Sequence, residues 1–220
     1  MKFNKNMLLL YAVTDCSKVD RQTFYNQIED VLKGGVTMVQ LREKMLTEEE
    51  YIREAIRCKK LCHRYNVPLI INDNVNVALE SGADGVHVGM EDTPVSEIRG
   101  CVPKDFIIGA TCKTIEQAKA AERDGADYMG VGAIFPSITK ENAIRITNEQ
   151  LSNICESVSI PAVAIGGISL ENVDRIKGCK ISGIAVVSAI FSATNIIATT
   201  LRLKEKAREV VDNNSNIEGE

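Results

Sequence analysis

Histidine is almost missing from this sequence: 220 residues contain only two, His63 and His87. With so few, no Ser-His-acid set is visible and a histidine-ligated metal has no basis. Long apolar runs are missing too. No stretch approaches the roughly 18 apolar residues of a membrane span. The run from Met7 to Val13 is short, soon meets Thr14-Asp15 and lacks a small-residue cleavage pattern, so no signal peptide is read. No basic cluster stands out against a net charge of -4, which argues against a nucleic-acid binder. A glycine-rich phosphate loop after the first apolar run is also absent. The expectation is a cytoplasmic protein with neither membrane nor nucleic acid as partner. Its 45% hydrophobic and 25% charged content is ordinary for a globular domain. Its length fits one larger α/β domain or two small ones.

The seven cysteines (Cys16, Cys58, Cys62, Cys101, Cys112, Cys155 and Cys179) are odd in number and scattered, so reduced thiols are expected. Cys58, Cys62 and His63 have no second ligand pair and read as one packed helix face. Cys112 has no histidine partner and is not expected to act as a nucleophile.

Short apolar runs alternate with amphipathic stretches eight times. Strands are expected at Met7 to Val13, Val36 to Leu41, Pro68 to Ile71, Gly85 to Val88, Phe106 to Ala110, Asp127 to Val131, Pro161 to Ile165 and Gly183 to Val187. Helices are expected between them, including Thr47 to Tyr65 with Thr47 as N-cap, Ser169 to Lys177, and a last one from Ala193 to Val211. The segment Gly82-Ala83-Asp84-Gly85 is echoed by Gly125-Ala126-Asp127-Tyr128. Eight strand–helix units predict an α/β fold, a single-domain (β/α)8 TIM barrel over residues 1–211, with a frayed polar tail at 212–220. An open doubly wound sheet is the alternative, weakened by the missing glycine loop.

In such barrels chemistry collects just beyond the C-terminal ends of the strands. Gln40, Arg42 and Lys44 alternate after the second strand, so they point one way on an extended chain and suit a polyanion such as diphosphate. Asp73 and Asp92 follow neighbouring strands and form a hard-oxygen pair suited to Mg2+, which takes one or two carboxylates, waters and substrate phosphates. Each also has a plainer reading: Asp73 as a helix cap, and Asp92 as a turn residue before Pro94. Gly166-Gly167 and Val187-Ser188 end strands seven and eight, a common place for a backbone phosphate cup. Ser137, Thr139 and Lys140 lie in a long connection that reads either as a second anion site or as a surface loop. His87 reads as a packed, hydrogen-bonded residue. Together these residues point to a transferase that takes two phosphorylated small molecules and displaces diphosphate.

Several motifs then resemble the thiamine phosphate synthase family over Tyr11 to about Ser188. They are Tyr11-Ala12-Val13-Thr14-Asp15, Gln40-Leu41-Arg42-Glu43-Lys44, Ile71-Asn72-Asp73, Gly85 to Gly89 with Glu91-Asp92, Gly130 to Gly132 through Phe135-Pro136 and Thr139-Lys140, and Ala164 to Ile168. The resemblance implies joining a hydroxymethylpyrimidine diphosphate to a thiazole phosphate by a dissociative, Mg2+-assisted displacement. It implies that Gln40, Arg42, Lys44, Asn72 and Lys140 contact the pyrimidine diphosphate, with Arg42, Lys44 and Lys140 catalytic. Thr111 falls where the family usually has a serine near the pyrimidine. Ser137, Thr139, Gly167, Val187 and Ser188 would hold the thiazole phosphate. Leu41, Glu43, Ile138 and Gly166 complete these binding stretches, and Asp73 and Asp92 would be the Mg2+ ligands. Met90, Lys113 and Ser137-Ile138-Thr139 depart from the usual glutamine, histidine and Thr-Pro-Thr. A tautomerase-like isomerase and a non-catalytic phosphate-ligand sensor are the rivals on the same barrel. A homo-oligomer is left open.

Overall fold

A computed structural model of the chain describes residues 1–15, 19–136 and 145–215. Eight parallel strands close into a barrel in sequence order. They are β1 (Leu10–Val13), β2 (Met38–Leu41), β3 (Leu69–Asn72), β4 (Gly85–Val88), β5 (Ile107–Cys112), β6 (Tyr128–Gly132), β7 (Ala162–Ile165) and β8 (Gly183–Val186). The helices are α1 (Arg21–Lys33), α2 (Glu48–Arg64), α3 (Val75–Glu80), α4 (Val95–Cys101), α5 (Ile115–Asp124), α6 (Asn148–Glu156), α7 (Ser188–Phe191) and α8 (Ile196–Ser215). The (β/α)8 barrel expected from the sequence is therefore the architecture.

Strand alternation divides the core in two. Val39 and Leu41 face outward into the layer packed under the helices. Met38, Tyr11, Val13, Ile70, Ile107, Tyr128, Val163 and Ala185 fill the barrel itself. Leu8, with Phe3 and Met7 against it, closes the bottom. Phe3 stacks on Tyr128 with ring centroids 5.9 Å apart.

The Gly-Ala-Asp echo has a physical meaning. Asp84 Oδ2 accepts the Leu69 N–H at 2.9 Å and meets His63 Nε2 at 2.8 Å. Asp127 Oδ2 accepts the Ile108 N–H at 2.8 Å and the Arg99 Nη2 at 2.7 Å. Each aspartate thus ties its own strand to the start of the preceding strand and to the helix that leads into that preceding strand. Thr47 caps α2 in a capping box with Glu50, an arrangement that typically stabilises a helix by ~1 kcal/mol.

Four elements differ from the sequence reading. The helix expected over Ser169 to Lys177 is a short 3-10 turn, Val173–Ile176. Asn172 does not cap it. Its side chain accepts from Ser169 N and donates to Gly167 O, both at 2.9 Å, and so stabilises the tight turn beyond β7 instead. α7 is an extra turn before the last helix, and α8 extends to Ser215, past the expected end at Val211. β5 continues to Cys112, so Thr111 is a strand residue.

Candidate active site

The C-terminal mouth of the barrel holds a cleft of about 180 Å3. Gln40, Arg42, Asn72, Thr111, Gly166, Gly167, Val187 and Ser188 all line it. These eight expected residues come from the ends of five strands and are brought together only by closure of the sheet. Arg42 is anchored by its N–H to Thr14 Oγ1 at 3.0 Å.

The other residues of the expected site are placed differently. Leu41 points outward and is wholly buried under the helices. Glu43 Oε1 is bound by Arg21 Nη1 at 2.6 Å, and its side chain is only 2% exposed. Lys44 is exposed at a bend beyond β2 and does not line the cleft, because the alternation from Gln40 to Arg42 ends with the extended chain. Asp73 is exposed and borders a shallower depression with Asn74, Asn76 and Thr93. Ser137, Ile138, Thr139 and Lys140 lie outside the described residues.

The two aspartates can be tested against Mg2+ by what else they do. Asn74, not Asp73, caps α3, accepting from Val77 N at 2.9 Å. The helix-cap reading of Asp73 is thereby removed. Asp92 Oδ2 accepts the Gly89 N–H at 2.7 Å, so one of its oxygens holds the turn after β4. Among the described residues no cluster of three or more acids, thiols or imidazoles forms a self-sufficient metal site. Two carboxylates after adjacent strands fit Mg2+ shared with a substrate diphosphate, since that ion usually keeps waters and phosphate oxygens as ligands.

Gly166 and Gly167 have φ of +104° and +64°. A Cβ on Gly167 would lie 2.2 Å from Pro136 O. The turn after β7 therefore needs glycine both for its backbone and for its close approach. β7 pairs with β8, Ile165 opposite Ala185, which sets this turn beside Val187 and Ser188. Ser188 is the first residue of α7.

Beneath the mouth runs a hydrogen-bonded chain that sequence reasoning did not find. Gln40 Nε2 donates to Tyr11 Oη at 2.7 Å, and the Tyr11 and Tyr128 hydroxyls are 2.9 Å apart. Tyr128 Oη lies 3.1 Å from His87 Nδ1, and His87 Nε2 lies 3.0 Å from Thr111 Oγ1. Burial raises the pKa of both phenols, so they are neutral hydroxyls here. The reading of His87 as packed and hydrogen-bonded agrees with this geometry, and its ring also lines the cleft. Lys113, marked in the sequence only as a departure, lines it too. Cys112 is buried with its thiol pushed up to about 12 by desolvation, which removes it as a nucleophile at neutral pH. Cys58 and Cys62 sit in the outer core.

The family model described as thiamine monophosphate synthase matches residues 10–190. The chain belongs to this family. A thiamine-phosphate synthase of Methanobrevibacter smithii is 47% identical over 199 residues, covering 90% of this chain and 95% of that protein. One from Clostridium acetobutylicum is 44% identical over 203 residues, covering 92% and 93%. A solved thiamine phosphate pyrophosphorylase from Pyrococcus furiosus superimposes with a TM-score of 0.86 at 36% identity, covering 94% of this chain and 98% of that one. No helix among the described residues is long and apolar enough to cross a membrane.

Proposed function

We propose that the cleft joins 4-amino-2-methyl-5-(diphosphooxymethyl)pyrimidine to 4-methyl-5-(2-phosphooxyethyl)thiazole, giving thiamine phosphate and diphosphate. The observation that carries this reading is the convergence on one cleft of Gln40, Arg42 and Asn72 with Gly166, Gly167 and Ser188. An anion-binding side faces a backbone cup across a mostly apolar floor. Family membership and the named relatives support the same reaction.

In this reading the pyrimidine lies over Gln40 and Thr111, with its diphosphate toward Arg42 and Asn72. Thr14 holds the Arg42 backbone N–H, and Glu43, the neighbouring acid, is bound by Arg21. Arg42 stabilises negative charge gathering on the departing diphosphate, assisted by Lys44 and Lys140. Asp73 and Asp92 would hold Mg2+, which when bound supplies further neutralisation of the leaving group. The thiazole phosphate takes the turn at Gly166-Gly167 and the start of α7. The protein supplies no covalent nucleophile, and none is needed when the pyrimidine carbon becomes cationic and the thiazole nitrogen attacks it. Holding two substrates in register on a rigid rim supplies much of the acceleration.

The test is a direct assay. Purified protein with both substrates and Mg2+ releases diphosphate and thiamine phosphate in equal amounts. Absence of both products, with the protein folded, refutes the proposal.

A further inference from the structure

The five-residue chain under the cleft has a direction, and that direction is fixed by donor and acceptor chemistry. An amide nitrogen only donates, so Gln40 Nε2 makes the Tyr11 oxygen an acceptor. Tyr11 must then place its own proton on Tyr128. Were Tyr128 to donate to Tyr11 instead, the Tyr11 proton would lose that acceptor at a residue only 1% exposed. A buried hydroxyl without a partner costs ~1–3 kcal/mol. The same logic sends the Tyr128 proton to His87 Nδ1, since Tyr128 is wholly buried. The imidazole hydrogen is then on Nε2, directed at Thr111 Oγ1. Thr111, already an acceptor toward His87, turns its hydroxyl proton to the cleft.

The fold makes room for this chain. A Cβ on Gly109 would lie 2.2 Å from Tyr128 Cζ and 2.5 Å from His87 Nδ1. One on Gly130 would lie 3.1 Å from His87 Cε1. Bare backbone on β5 and β6 thus lets two rings cross the barrel between Tyr11 and Thr111.

We infer that Tyr128 and His87 are positioning residues that make Thr111 a hydrogen-bond donor and Gln40 Oε1 an acceptor toward the substrate. The two ends of the chain therefore match a heteroaromatic amine, which offers a ring-nitrogen acceptor and an amino donor. The oxo counterpart, with a ring N–H and a carbonyl, presents the reverse. This substrate assignment rests on the function proposed above, whereas the proton arrangement belongs to the protein alone.

The ligand-free protein labelled with 15N-histidine tests the arrangement, with His63→Gln assigning the second imidazole. His87 is expected as the neutral Nε2–H tautomer. Gln40→Glu, whose carboxylate only accepts, reverses the chain and moves the His87 proton to Nδ1. An Nδ1–H or mixed tautomer in the wild type, or no change on Gln40→Glu, overturns the inference. In turnover, Tyr128→Phe raises the KM of the aminopyrimidine diphosphate about fivefold and has no further effect in a Thr111→Val background. Equal losses in both backgrounds assign Tyr128 a merely structural role and also overturn it. Inactive wild-type protein with the expected tautomer would sink the proposed activity and leave the positioning chain standing.

Discussion

Arg21 Nη1 meets Glu43 Oε1 at 2.6 Å, and this ion pair removes the single acid of the Gln40 to Lys44 stretch from the cations on either side of it. Arg21→Ala leaves a carboxylate that is 2% exposed in the folded chain to compete for Arg42 and Lys44. The expected result is a KM for the pyrimidine diphosphate about tenfold higher, together with a loss of ~1–3 kcal/mol in chemical unfolding. An unchanged KM removes the shielding role.

Arg42→Ala is expected to lower turnover at least tenfold, a loss of about 1.4 kcal/mol or more in transition-state stabilisation. Lysine at this position restores the charge but not the planar fork and should recover only part of the rate. Steady-state diphosphate release measures both.

Asp92→Ala and Asp73→Ala should also slow turnover about tenfold or more and raise the Mg2+ concentration needed for half-maximal rate. Chelation of Mg2+ should stop the wild type, with recovery on adding the ion back. Equal Mg2+ dependence in the wild type and both variants counts against these ligands.

Gly167→Ala meets two obstacles, a φ of +64° and a Cβ position 2.2 Å from Pro136 O. Thermal unfolding should show a destabilisation of ~1–3 kcal/mol. The KM for the thiazole phosphate should rise more than that for the pyrimidine diphosphate, because the distorted turn lies on the β7 side of the cleft.

The buried thiols of Cys62, Cys112 and Cys155 have pKa values raised from 9.0 to about 12 by desolvation. Each binds its proton more tightly in the folded chain than in the unfolded one. Their contribution is therefore complete below pH 9 and is lost as pH rises toward 12. Denaturant midpoints should fall steadily across that window, and replacing Cys112 by alanine should flatten the slope.

Much of this site was legible because a strand has a period of two and a barrel has one functional rim. Gln40, Arg42, Asn72, Gly166, Gly167 and Ser188 follow from those two rules alone. Lys44 did not follow, because the chain bends at that residue and the alternation that carries Gln40 and Arg42 to one side stops there. Glu43 was misplaced for a different reason: its partner Arg21 lies 22 residues away on α1, and a local motif does not reveal which helix will cover it. The same limit hid the chain beneath the cleft. Tyr11 and Tyr128 are 117 residues apart and meet only because strands β1 and β6 face each other across a closed barrel. The lost helix after β7 reflects local competition, in which the Asn172 side chain stabilises the turn at Gly167 instead of capping a helix.

The filled base of the barrel also governs traffic. With Leu8, Phe3 and Met7 beneath Tyr128, the barrel below the cleft is filled with side chains. Whatever reaches the floor over Gln40 and Thr111 therefore comes and goes on the C-terminal side of the barrel. In the reaction proposed here, both substrates and both products then share that one side of the barrel.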